Sequence, residues 1–115
     1  MKNRPLRKGD IVFVCNNSDV VEGVQNGSRP YIVVSNDKFN MYSPVVNCVP
    51  LTTKQKKYSP VHLFIHKEIG IPHNSYALCE QIFTISKNNV EKIICILPDN
   101  LLDKLNSLLV FQLAL

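Results

Sequence analysis

The sequence predicts a mostly β fold: a small, mostly antiparallel barrel with a single C-terminal α-helix packed on it. Short apolar runs of strand length recur at Ile11–Cys15, Tyr31–Ser35, Val45–Thr52, Pro60–His66, Ser75–Ile82 and Lys92–Leu97, separated by stretches rich in Gly, Pro, Asn, Asp and Ser. One stretch alone has helical spacing. Leu101, Leu102, Leu105, Leu108, Leu109 and Leu113 share a face, and Asp103, Lys104, Asn106 and Ser107 take the other. With 115 residues, 45% of them apolar, the chain is long enough for one domain with its own core, residues 1–115.

Composition narrows the possibilities. The mean hydropathy is +0.00, and no apolar run approaches the ~20 residues of a membrane helix. Met1–Asp10 is basic, but no apolar core and small-residue cleavage site follow it. A cytoplasmic protein with no membrane partner is therefore expected. The net charge of +4 is uneven: residues 1–66 hold nine Lys/Arg against four Asp/Glu, and residues 67–115 hold four against five. The basic half suits a polyanionic partner, although +4 alone is a weak signal. Cys15, Cys48, Cys79 and Cys95 form no C-x-x-C pair, and each sits in an apolar run. They read as buried, reduced thiols packing as small hydrophobes.

Taken in order, Lys2–Lys8 is a basic arm expected to fray, and Gly9-Asp10 turns into the first strand. Asn16–Ser28 is a polar loop, long for a compact domain, ending at Arg29. Pro30 biases Arg29 toward extended backbone. Ser35-Asn36-Asp37 is helix-start chemistry, and Pro44 ends the short helix that Lys38–Ser43 can form. Pro50 requires a bulge or an edge within the third strand. Lys54–Lys57 is a basic connection beside Thr52. Phe83–Ile85 is placed as a continuation of the fifth strand, and Ser86–Asn89 as a short turn.

Several chemistries are excluded by pattern. There is no G-x-x-x-x-G-K-[ST], no G-x-G-x-x-G and no H-E-x-x-H, so neither a phosphate-binding loop nor a metal site is expected. His62 and His66 share a strand face, but a rise of about 3.3 Å per residue sets them roughly 13 Å apart, too far to share one phosphate. They and His73 read as surface or partly packed side chains. What remains is Arg29 before one strand and Thr52 or Thr53 after another. A guanidinium fork matches two phosphate oxygens and stays charged. A threonine hydroxyl can donate to a phosphate oxygen or position a ribose hydroxyl. Such a pair suits attack of an RNA 2′-OH on its own adjacent phosphate. By spacing alone, a purely structural role for these residues is the commoner outcome.

At these residues the sequence resembles the MazF/PemK family of toxin–antitoxin ribonucleases. The matching pieces stand in family order: Arg7-Lys8-Gly9-Asp10-Ile11, Gly27-Ser28-Arg29-Pro30, Val33-Val34-Ser35-Asn36-Asp37, Asn40 with Ser43-Pro44, Pro50-Leu51-Thr52, Pro60-Val61-His62, and Cys79-Glu80-Gln81-Ile82 with Thr84-Ile85. The resemblance implies an SH3-like antiparallel barrel with short helices and a C-terminal α-helix, of the CcdB/MazF-like class. It implies a metal-independent, cofactor-free, sequence-selective endoribonuclease cutting single-stranded mRNA to 2′,3′-cyclic phosphate and 5′-OH ends. It also implies a homodimer with RNA in a groove along the interface, blocked by an extended segment of a cognate antitoxin. Arg29 matches the main catalytic residue and Thr52 its hydroxyl partner. Gln25, Asn26 and Gly27 match a loop over the RNA, with Ser28 beside them. Glu80 and Gln81 match positions that read bases or hold the groove, and Lys54 adjoins Thr52 as a further RNA contact.

Two departures stand out. The run Val24-Gln25-Asn26-Gly27 lacks the acidic residue before the glutamine and the second glycine, and Phe83 replaces an arginine after Glu80-Gln81-Ile82. No cleavage sequence is carried over for that reason, and Phe83 is left with two roles, stacking on a base or packing in the barrel. Two other functions share the fold. A gyrase-binding toxin of the CcdB kind ends in a Trp-containing motif, whereas this chain has no Trp and ends Phe111-Gln-Leu-Ala-Leu115. A degenerate RNA-binding module would have lost cleavage, but Arg29 and Thr52 are both in place.

Overall fold

A computed structural model of the chain describes residues 4–15, 29–54 and 59–115. Among them, β1 (Asp10–Val14), β2 (Arg29–Val33), β3 (Val45–Thr52), β4 (His62–Ile65), β5 (Ser75–Leu78), β6 (Phe83–Ser86) and β7 (Val90–Ile96) form one antiparallel sheet. The helices are α1 (Asp37–Tyr42) and α2 (Asp99–Leu113). The strand order is β4-β5-β3-β2-β1-β7, with β6 pairing β3 off this path.

The continuous apolar runs have a simple cause: both faces of the inner strands are covered. On β3, Val49 and Leu51 enter one core cluster, and Val46 and Cys48 enter the other. On β2, Ile32 faces the first while Tyr31 and Val33 face the second. The first cluster is closed by Leu97, Leu105 and Leu109, so α2 covers that face. Burial holds Cys48 and Cys79 as protonated thiols, pushed up to about 12 from 9.0, and raises Cys95 as well. Cys15 and Cys95 are only half-buried.

The expected barrel is an open sheet of the same class. No ladder joins β4 to β7 among the described residues. Packing bridges that gap instead. Gly70, in the β4–β5 connection, has φ +126°, and a Cβ there would lie 3.0 Å from Cys95 Cβ on β7. Only glycine brings the two backbones so close without strain.

Three other expectations change. The basic arm does not fray from Arg4 onward: its guanidinium makes two bonds to buried Asp10, at 2.9 and 3.1 Å, and Leu6 is buried. Phe83–Ile85 does not continue β5. The chain turns at Cys79–Ile82, and β6 pairs the opposite end of β3, from Val45↔Ser86 to Cys48↔Phe83, leaving Leu51 and Thr52 for β5. Pro50 lies between these two ladders, where its missing N–H costs no bond to β5 or β6. The Asn16–Ser28 loop, and with it Gln25, Asn26, Gly27 and Ser28, lies outside the described residues, as does 55–58 of the basic connection.

Candidate active site

The register of the inner strands assembles the site. β2 and β3 pair as Tyr31↔Pro50, Ile32↔Val49 and Val33↔Cys48. Continued outward by two residues, this register sets Arg29 opposite Thr52. β1 supports Arg29 from the other side through Val14↔Arg29. Thr52 in turn pairs with Tyr76 on β5, and Tyr76 with Phe64 on β4. Arg29, Thr52, Tyr76 and Phe64 therefore follow one line across four strands. Facing residues of an antiparallel ladder project to the same side.

Thr52 is buried and Arg29 half-buried. The Thr52 hydroxyl accepts from the backbone N–H of Lys54 at 3.2 Å. That contact fixes the oxygen and leaves its own O–H as a donor. Thr53, one residue on, lines a cavity of about 390 Å³ together with Pro30, Pro72 and His73. Alternation along the strands thus separates Arg29 and Thr52 from Pro30 and Thr53, a choice that residue spacing left open.

Lys54 is exposed at the tip of β3. Glu80 lies beyond β5, where its Oε2 meets His62 Nε2 at 3.0 Å; the His62 side chain is 6% exposed. Gln81 is half-buried, its N–H donating to Leu78 O at 3.0 Å. Sequence reasoning missed the His62–Glu80 pair. It compared the histidines with each other, whereas the signal lay in the cross-strand register that places His62 opposite Leu78, two residues before Glu80. Phe83 is half-buried and packs edge-on to Tyr31, ring centroids 5.6 Å apart, which gives it the packing role. Among the described residues no three His, Cys, Asp or Glu side chains gather to hold a metal ion.

Residues 7–113 match the model of the PemK-like, MazF-like toxin of type II toxin–antitoxin systems. The chain belongs to this family. It is 37% identical over 112 residues to endoribonuclease EndoA of Bacillus subtilis (strain 168), covering 96% of each chain. It is 32% identical over 112 residues to endoribonuclease MazF of Staphylococcus saprophyticus, covering 96% of this chain and 92% of that one. The fold matches MazF of Deinococcus radiodurans with a TM-score of 0.83 at 18% identity, over 98% of this chain and 100% of that one. It also matches a mycobacterial endoribonuclease in complex with its cognate antitoxin, with a TM-score of 0.78 at 22% identity over 96% of each.

In this MazF-like toxin the matched motifs divide into two kinds. Those around β1 and α1 are scaffold. Asp10 holds Arg4 and accepts from the Arg7 N–H at 2.8 Å. Asp37 accepts from the Lys8 N–H at 2.8 Å, and Asn36 caps α1 by accepting from Phe39 N–H at 2.7 Å. Asn40 is fully buried; it donates to Ser35 O at 2.8 Å and accepts from the Ser35 hydroxyl, whose oxygen takes the Asn47 N–H at 3.0 Å. These bonds satisfy polar groups where β2, α1 and β3 meet. Arg29 and Thr52 stand apart from these bonds, at the facing ends of β2 and β3.

Proposed function

We propose that this chain is the toxin of a type II toxin–antitoxin pair and a sequence-selective endoribonuclease that cuts single-stranded mRNA. The observation that carries the proposal is the β2–β3 register, which, continued outward, sets Arg29 opposite Thr52 at one end of the inner strands. The RNA supplies the nucleophile. Its 2′-oxygen forms a bond to the adjacent phosphorus, the P–O5′ bond breaks, the 2′-OH proton is lost and O5′ gains one. The products are a 2′,3′-cyclic phosphate and a 5′-OH. Arg29 is assigned the phosphate oxygens, whose charge grows in the transition state. Thr52 is assigned a hydrogen bond to a phosphate or ribose oxygen. Lys54 adds a positive charge beside Thr52, and Gln25, Asn26, Gly27, Ser28, Glu80 and Gln81 are assigned RNA contacts on the family resemblance. DNA, which lacks the 2′-OH, is spared.

The purified chain is expected to cut single-stranded RNA in EDTA, leaving cyclic phosphate ends, and to leave single-stranded DNA intact. Gyrase inhibition without RNA cleavage would replace this reading with a CcdB-like one. An RNA-cutting toxin of this kind acts in the cytoplasm, where its substrate is.

The toxin is also inferred to work as a homodimer. Val110, Phe111, Leu113 and Leu115 are exposed at the end of α2. Beside them lies a hollow of about 470 Å³ lined by Val34, Ile82 and Leu109. Asn106, which also lines it, buries Oδ1 without a hydrogen-bond partner among the described residues, as does Gln112 Oε1 on the same helix. Apolar side chains ringing unsatisfied polar atoms suit a self-complementary interface. Sedimentation should give a mass near twice 13.0 kDa, and a monomer at micromolar concentration would remove the shared groove. A cognate antitoxin is the expected partner, as in the mycobacterial complex.

A further inference from the structure

The line Arg29–Thr52–Tyr76–Phe64 does not end at the reactive pair. Phe64 and Tyr76 are cross-strand partners on β4 and β5, with ring centroids 5.3 Å apart and planes at 60°. His66 adds a third ring, 6.4 Å from Phe64. These rings are not core. Phe64 is 45% exposed and His66 is exposed, whereas the neighbours on the other face of the strand, Leu63 and Ile65, are buried. A phenylalanine exposed on a strand whose alternate positions build the core adds nothing to that core. Among the described residues β4 pairs with β5 alone.

Strands lie about 4.8 Å apart, so Tyr76 stands one spacing from Thr52 and Phe64 two, about 10 Å. A nucleotide one or two positions from the scissile phosphate can reach that far. Bases present flat π-faces, and exposed aromatic rings beside a cationic edge are the usual means of holding unpaired ones. We infer that Phe64 and Tyr76 form a stacking platform for a base of the substrate strand, one or two nucleotides from the bond that is cut. The inference rests on the ribonuclease reading above. It assigns binding of the substrate strand to residues outside the matched motifs.

The test pairs protein and RNA changes. Phe64→Leu and Tyr76→Leu keep apolar bulk and remove the rings. On a single-stranded RNA containing the mapped cut site, each should lower kcat/KM about 5- to 100-fold, the range for losing one stacked base. Moving an abasic site along the same RNA should reveal one position, within two nucleotides of the cut, where wild type falls to the variants' rate and the variants lose little more. A general folding defect would instead lower the rate equally on every RNA. Binding of fluorescein-labelled single-stranded DNA to the full chain reads the platform without the reaction. Weaker binding by Phe64→Leu there supports the platform even if no RNA is cut, an outcome that would sink the ribonuclease reading alone. Two results would overturn the platform: variants matching wild type on all substrates, or variants that lose antitoxin affinity while handling nucleic acid normally, which would make the face a protein-docking surface.

Discussion

Replacing Arg29 by alanine is expected to lower the rate of RNA cleavage at least ~100-fold while leaving the fold intact. Loss of one preorganised charge or donor aimed at a developing oxyanion costs about 10²–10³ in kcat. Arg29 is half-buried at the first position of β2, outside both core clusters, so its removal opens no core cavity. The loss should fall on kcat more than on KM, because the charge it meets is largest in the transition state. Arg29→Lys should recover only part of the rate, since an ammonium cannot grip two oxygens as a fork. Single-turnover cleavage of a labelled oligonucleotide reads both effects. An undiminished rate for Arg29→Ala would remove the catalytic assignment.

The second large effect is on stability. Leu105→Ala should destabilise the chain by about 2–5 kcal/mol, the range for truncating a buried leucine. Leu105 is fully buried, and it closes the cluster formed by Leu63, Ile65 and Leu97. A domain of this size has only about 5–15 kcal/mol in total. Urea unfolding followed by circular dichroism should show a lower midpoint with an unchanged slope. Ser107→Ala, on the exposed face of the same helix, should stay within about 0.5 kcal/mol of wild type.

Much of this architecture was legible in the residues. The run Val45–Thr52 coincides with β3, and the leucine spacing from Leu101 to Leu113 falls within α2, because burial on one stripe or on both faces leaves a direct mark on composition. Asn36 and Pro44 bracket α1 as capping chemistry requires. What periodicity could not supply was partner choice. Nothing in the apolar pattern distinguishes Phe83–Ile85 continuing β5 from the same residues turning back onto β3, since both bury Ile85. Closure was over-read for a related reason: strand runs report burial, and at the β4–β7 gap burial is provided by α2 and Gly70 rather than by a ladder. At the site, motif matching selected Arg29 and Thr52, but only the register shows that they share an edge, or that Tyr76 and Phe64 extend it.

The position of Phe64 on an edge strand has an evolutionary consequence. β3 is held along both sides by β2, β5 and β6, whereas β4 pairs with β5 alone among the described residues. Substitutions at its exposed position Phe64, outside both core clusters, therefore need little compensation elsewhere. Such a position can drift while the inner strands keep the register that sets Arg29 opposite Thr52.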